Sequence, residues 1–399
     1  MPKVRPQLLL TSDFPPMSGG IARWMGELAR RYPQGSLVVS TGQYPNSDEV
    51  DERLPNRVDR LAMPVKRLKT LQGILTWSRH ISVLARALNA EFIWCGTLKP
   101  SAYPAKWVRE RVGTPFGVIA HGSDFLTLRH ETHRSAIKRR VAKGLLDAAS
   151  VIVANSNWTR DLCLSVLGEL GVTLAEDRVR VVPLGTDPLF FRAGIDTKAV
   201  QEKYGLEEGR WLLTVAPLAP SKGVDTVLHA LAAANGEFGD LRYAVVGAGA
   251  ELAPLKALAK KLGVTERVRF LTDVPDADLP ALYNVATVYV GLSRQTGLDV
   301  EGFGIAFAEA AACARPVIGA RSGGIPDVVA DGETGLLVNA EKADEVVEAL
   351  TRLLKDAKLA AKLGKEGRAR VERFQNWDRV TRDLRAIAQE FAGDVARSG

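Results

Sequence analysis

The feature that most constrains this chain is a twofold alternation of short apolar runs with segments of helical period. In the first half the runs are Gln7-Leu8-Leu9-Leu10, residues 36–39, Phe92-Ile93-Trp94, residues 116–119 and Val151-Ile152-Val153. In the second half they are residues 211–215, 243–246, 268–271, Val288-Tyr289-Val290 and Pro316-Val317-Ile318. Runs this short and this apolar predict strands buried on both faces, with helices such as 253–262 between them. That is the pattern of parallel sheets covered on both sides. The second series is a fresh start of the same architecture, so the expected fold is α/β, with two Rossmann-like doubly wound domains facing a central cleft at the carboxyl ends of their strands.

A length of 399 residues also predicts two domains. The stretch Val182-Pro183-Leu184-Gly185-Thr186-Asp187-Pro188, rich in turn formers, is the expected linker. Cys95, Cys163 and Cys313 are far apart and form no Cys-x-x-Cys pair, which predicts a reduced, cytoplasmic protein without a zinc site. The start shows no signal-peptide pattern, and no apolar run approaches the length of a membrane span. Net charge is +7, and it is uneven: residues 1–190 hold 26 Lys and Arg against 17 Asp and Glu. A basic first half suits nucleic acid, anionic lipid or an acidic substrate, and charge alone does not choose among them.

Four segments carry chemistry. After the first strand, Asp13-Phe14-Pro15-Pro16-Met17-Ser18-Gly19-Gly20 opens a helix. Gly19 and Gly20 could bring backbone N–H groups and a helix N-terminus to an anion, or simply turn the chain. Residues 215–225 place Lys222 beside Gly223 before a helix, within reach of a phosphate. Val246-Gly247-Ala248-Gly249 looks like a dinucleotide fingerprint, but the third glycine position is Leu252, which disfavours a nicotinamide cofactor. The most informative segment is Asp299-Val300-Glu301-Gly302-Phe303-Gly304-Ile305, followed by Glu309. Glu309 lies in a helix so rich in alanine that it has little polar face, and a carboxylate there needs a hydrogen-bonding partner such as a sugar or ribose hydroxyl. His121, in Ala120-His121-Gly122-Ser123-Asp124, directly follows a first-domain strand on the cleft side. No metal-ligand spacing stands out, so no metal site is expected.

At these residues the chain resembles the retaining GT-B glycosyltransferases of family four along nearly its whole length, and among them the phosphatidylinositol mannosyltransferases most. The likeness rests on Asp13 to Gly20, Ala120-His121-Gly122, Lys222-Gly223, the Asp299 to Gly304 segment with Glu309, Ser322-Gly323-Gly324 and Thr334-Gly335-Leu336. The resemblance implies a catalytic set of His121, Lys222 and Glu301, with His121 at the transferred sugar and Lys222 on the pyrophosphate. It implies a donor site of Gly19, Gly20, Gly302, Phe303, Gly304, Ile305 and Glu309, with Glu309 on the ribose. Asp13 and Asp124 are candidate acceptor residues. It also implies transfer of a hexose, mannose favoured, from a GDP- or UDP-sugar to a lipid-linked or glycan acceptor, with retention, no divalent metal and no cofactor. The implied division is 1–188 plus 376–399 for the acceptor domain and 189–375 for the nucleotide-sugar domain. One departure stands out: where the family has an arginine five positions before the lysine, this chain has Pro217. Arg294 and Arg321 are the candidates to replace it.

Residues 65–79 intersperse Leu68, Leu71, Leu75 and Trp77 with Lys66, Arg67, Lys69 and Arg79. A basic amphipathic helix of this kind suits an anionic membrane surface, or else packs on its domain with a solvated basic face. The expected partners are thus a nucleotide-sugar and a membrane surface at the inner face, with no nucleic acid. The alternatives are a transferase for a small soluble acceptor and a non-catalytic sugar-nucleotide-binding homologue.

Overall fold

The computed structural model describes residues 5–397, so residues 1–4 and 398–399 of the two chain ends lie outside the described residues. The chain forms two compact units, one running to Val182 and resumed from Trp377, the other spanning Pro183–Asn376.

The first unit is built on a seven-stranded sheet: β1 (Gln7–Leu10), β2 (Leu37–Gln43), β3 (Arg57–Pro64), β4 (Phe92–Cys95), β5 (Phe116–Ala120), β6 (Val151–Ala154) and β7 (Val179–Val181). Its order is β3-β2-β1-β4-β5-β6-β7, and every pairing is parallel. Leu8 pairs with Val38 on one side and Ile93 on the other, and β1, β4, β5 and β6 are buried along their whole length. Burial on both faces is why these strands carry unbroken apolar runs. The helix Trp377–Arg397 returns to this unit and packs on the helix Gly20–Arg31 and on β4, burying Val380 and Leu384.

The second unit repeats the plan with β8 (Arg210–Val215), β9 (Leu241–Val246), β10 (Val268–Leu271), β11 (Ala286–Gly291), β12 (Val317–Ala320) and β13 (Leu336–Val338), in the parallel order β10-β9-β8-β11-β12-β13. Gly185 and Asn376, near the two ends of this unit, run side by side. A Cβ on Gly185 would come within 2.6 Å of the Asn376 backbone, and Thr186 N–H donates to the Gln375 carbonyl at 2.9 Å.

Residues 65–79 are not one helix. A 3-10 turn, Val65–Lys69, ends at Thr70, whose hydroxyl caps the helix Leu71–Leu88 by accepting from Gly73 N–H at 3.1 Å. A Cβ on Gly73 would sit 1.8 Å from the Arg67 carbonyl oxygen, so only glycine permits this bend. Leu68 and Trp77 are fully buried, with Trp77 Nε1–H donating to Ser40 Oγ at 3.0 Å, so of the two readings of this stretch these two residues follow the one packed on the domain. Leu71, Leu75 and Val83 remain exposed. No helix among the described residues is long and apolar enough to cross a membrane. The three cysteines are buried and unbridged, and burial pushes the Cys313 thiol up to about 12.

Candidate functional site

Strand order reverses between β8 and β11, and a doubly wound sheet opens a crevice at the carboxyl ends of such a pair. β8 leads into the 3-10 turn Pro220–Lys222 and then the helix Val224–Ala233; β11 leads into a loop that ends at the helix Ile305–Ala312. These two connections bring together residues 79 positions apart. Lys222 Nζ donates to Glu301 Oε2 at 3.0 Å, with the two side chains 14% and 27% exposed. The Glu301 backbone is held as well, its carbonyl accepting from Gly324 N–H at 2.9 Å, and a Cβ on Gly323 would collide with that carbonyl at 2.3 Å. The Ser322-Gly323-Gly324 turn is therefore glycine-rich because it lies against Glu301. An ammonium and a carboxylate in contact, both still reachable from solvent, can offer a cation to phosphate and an acceptor oxygen to hydroxyl groups.

The rest of the segment serves this loop in different ways. Gly304 adopts φ 93° to start the helix Ile305–Ala312, and a Cβ there would meet the Phe307 ring at 2.7 Å. Gly302 and Phe303 are buried, Phe303 at 1% exposure, so Phe303 anchors the loop, while Ile305 is half-buried. Glu309 is 2% exposed and accepts a hydrogen bond from Tyr283 Oη at 2.6 Å, which excludes the reading of a solvated glutamate. The polar partner that the alanine-rich helix demands is at least in part this phenol. Nothing in the local pattern of Leu279-Pro280-Ala281-Leu282-Tyr283 announces it, because the contact is tertiary.

In the first unit the corresponding reversal lies between β1 and β4. After β1, Ser12 Oγ donates to Asp13 Oδ2 at 2.7 Å, and the exposed Gly19, at φ 127°, precedes the helix Gly20–Arg31. After β5, His121 is 8% exposed and its Nε2 lies 2.6 Å from the Gly96 carbonyl at the end of β4. A carbonyl only accepts, so Nε2 is the donor of this bond. Asp124 Oδ1 accepts from the backbone N–H groups of His121 and Phe125, both at 3.0 Å, and Trp24 packs against the imidazole with ring centroids 5.1 Å apart. Gly96 and Trp24 thus fix the His121 ring and Asp124 its backbone, a role the sequence did not announce for the first two.

Other sequence features resolve differently. Gly247 and Gly249 are glycines because the Ala216-Pro217-Leu218 backbone lies on them: a Cβ would come within 2.0 Å of the Ala216 oxygen and 2.2 Å of the Leu218 oxygen. Arg294 bonds Asp225 Oδ2 at 2.8 Å and Thr226 Oγ1 at 3.2 Å, while Arg321 bonds Asp331 at 3.1 Å. Both guanidiniums have partners within their own unit, Arg321 in a pair that is largely exposed.

Two family models match the chain, Glycosyltransferase Family 4 over residues 18–189 and Glycosyl transferases group 1 over residues 196–370. Among curated relatives, the GDP-mannose-dependent alpha-(1-6)-phosphatidylinositol monomannoside mannosyltransferase of Mycolicibacterium smegmatis is 31% identical, covering 97% of this chain and 98% of its own. A monoacylated-acceptor counterpart from Corynebacterium glutamicum is 27% identical over 96% of this chain and 98% of its own. Among solved structures, sucrose-phosphate synthase from Thermosynechococcus elongatus superposes with a TM-score of 0.79 at 21% identity, covering 98% of this chain and 100% of that one. Anabaena HepE, solved with UDP and glucose, gives 0.77 at 20% identity, covering 96% and 99%.

Proposed function

The chain belongs to the family-four glycosyltransferases of GT-B fold, and we propose that it moves mannose from GDP-mannose to an inositol-containing lipid, with retention and without a divalent metal. The observation that carries this reading is the Lys222–Glu301 pair at the strand-order reversal of the second unit, in a chain whose GDP-mannose-dependent relatives match it from end to end. Lys222 meets the diphosphate and stabilises its charge as the bond to the anomeric carbon breaks. Glu301 and the Gly302 to Gly304 segment hold the sugar hydroxyls, and Glu309 serves the ribose. In the first unit, Gly19 and Gly20 serve the donor phosphates, His121 the transferred sugar, and Asp13 and Asp124 the acceptor. With Pro217 in place of an arginine, Lys222 is the principal cation of the phosphate end.

The lipid acceptor agrees with the surface of the first unit, which meets an anionic membrane at its inner face through residues 65–79. Leu71 and Val83 are 75% and 67% exposed beside Arg67, Lys69 and Arg79. The helix Ala136–Leu146, which contains no acidic residue, exposes Ile137 near Lys138, Arg139 and Arg140. Labelled GDP-mannose supplied with phosphatidylinositol monomannoside tests the reading: label in the lipid phase supports it. Transfer only from another sugar nucleotide, or only to a water-soluble acceptor, overturns it.

A further inference from the structure

We propose that Ser221 and Asp299 are positioning residues that hold Lys222 in place to meet the donor diphosphate. The inference rests on the reading of Lys222 given above. Ser221 is 1% exposed, and its Oγ donates to Asp299 Oδ2 at 2.5 Å, joining the turn that carries Lys222 to the loop that carries Glu301.

The bond sits within a wider brace. The Ser221 carbonyl accepts from Arg294 N–H at 2.7 Å, and the Arg294 guanidinium reaches on to Asp225 and Thr226 in the first turn of the next helix. Gly223, at φ 66°, packs so closely that a Cβ would lie 2.1 Å from the Leu292 carbonyl oxygen. Asp299 is itself fixed by a tight turn in which Thr296 and Asp299 exchange N–H···O bonds of 2.9 and 3.1 Å. Pro217 before the turn and Pro220 at its first position restrict the backbone, and Leu218 N–H donates to the Ala248 carbonyl at 2.9 Å.

A lysine ammonium ends a flexible four-carbon stem, so its position is defined only as well as its backbone is. Where a bidentate arginine is replaced by Pro217, error in the placement of the remaining cation is felt directly in the rate, since small misplacements cost large factors in turnover. Two ties to the Glu301 loop, one from the Ser221 side chain and one from its carbonyl, supply that definition. Asp299 is exposed apart from this bond, so its carboxylate makes little contribution to the core.

The experiment compares S221A, D299A, the double variant and D299N with the wild type, measuring kcat, GDP-mannose Kd and thermal unfolding. Each single alanine variant is expected to lower kcat about tenfold and leave Kd within about twofold. The double variant is expected to be no slower than either single, because both remove one bond. D299N, which keeps an acceptor oxygen, is expected to recover most of the rate. Unchanged kcat in the singles, losses that multiply in the double, or D299N as slow as D299A would overturn the proposal. Should S221A fail to fold, the exposed D299A and D299N carry the test alone. A wild type that does not transfer from GDP-mannose sinks the underlying reading and this inference together, whereas an active wild type with unaffected variants sinks this inference only.

Discussion

Tyr283 Oη donates to Glu309 Oε2 across 2.6 Å, inside a helix-lined site where the carboxylate is 2% exposed. The phenol thus pre-orients a glutamate that the proposed donor reading gives to the ribose. Removing it by Y283F is expected to lower stability by about 1.5 to 3 kcal/mol, the scale of a hydrogen bond to a charged group. It should also weaken GDP-mannose binding, while E309A weakens it further. Thermal shift with and without nucleotide reads both effects, since a ligand stabilises only the state it binds. Equal nucleotide-induced shifts in the wild type and E309A would remove Glu309 from the donor site.

Asp59 and His80 form a second pair, 2.5 Å apart, between β3 and the helix Leu71–Leu88. The hydrogen bond to Asp59 holds the His80 imidazole above its ordinary value, and the bond to His80 holds the Asp59 carboxyl below its own. A raised histidine contributes stability that is complete below its unfolded value near 6.5 and is lost as pH rises through the folded one. A depressed aspartate contributes stability that is complete above its unfolded value and is lost as pH falls through the folded one. H80Q is therefore expected to lower Tm more at pH 6 than at pH 9. An equal loss at both pH values would contradict the pairing.

Leu71 and Leu75 face solvent, whereas Trp77, two positions on, is buried against Ser40. L71D/L75D is expected to reduce sedimentation with phosphatidylglycerol vesicles and leave Tm unchanged. W77A is expected to destabilise the protein by about 3 to 5 kcal/mol, as truncation of a buried tryptophan does. Vesicle binding untouched by L71D/L75D would remove this face from the membrane contact.

Lys222 and backbone amides are assigned the diphosphate charge, so transfer is expected to persist in EDTA within about twofold of the untreated rate. Loss on chelation that magnesium restores would contradict the metal-independent reading.

Much of this was legible in the sequence. The strands buried on both faces announced themselves as apolar runs, and the Glu301 to Gly304 segment stood out because glycines flank Phe303 and Glu309 follows in a helix with little polar face. Three strands did not announce themselves. β3 carries Arg57, Asp59 and Arg60 because it is a sheet edge, and β7 and β13 are only 3 residues long. Tyr283 as the partner of Glu309, and the bond between Ser221 and Asp299, were equally silent, because each is chosen by tertiary contact and leaves no periodicity. The glycines at 247 and 249 read alike for two demands, because close approach of protein backbone, which is present here, requires the same freedom as close approach of a phosphate.

Lys222 and Glu301, 3.0 Å apart, are the proposed working pair of a GDP-mannose-dependent transferase. Initial rates of labelled mannose transfer to phosphatidylinositol monomannoside by the wild type, K222A and E301A test it most directly. Transfer by the wild type and a loss of more than about tenfold in each folded variant are expected, as removal of a group that stabilises transition-state charge requires. Wild-type rates in both variants, or a wild type that binds GDP-mannose without transferring mannose, would contradict it.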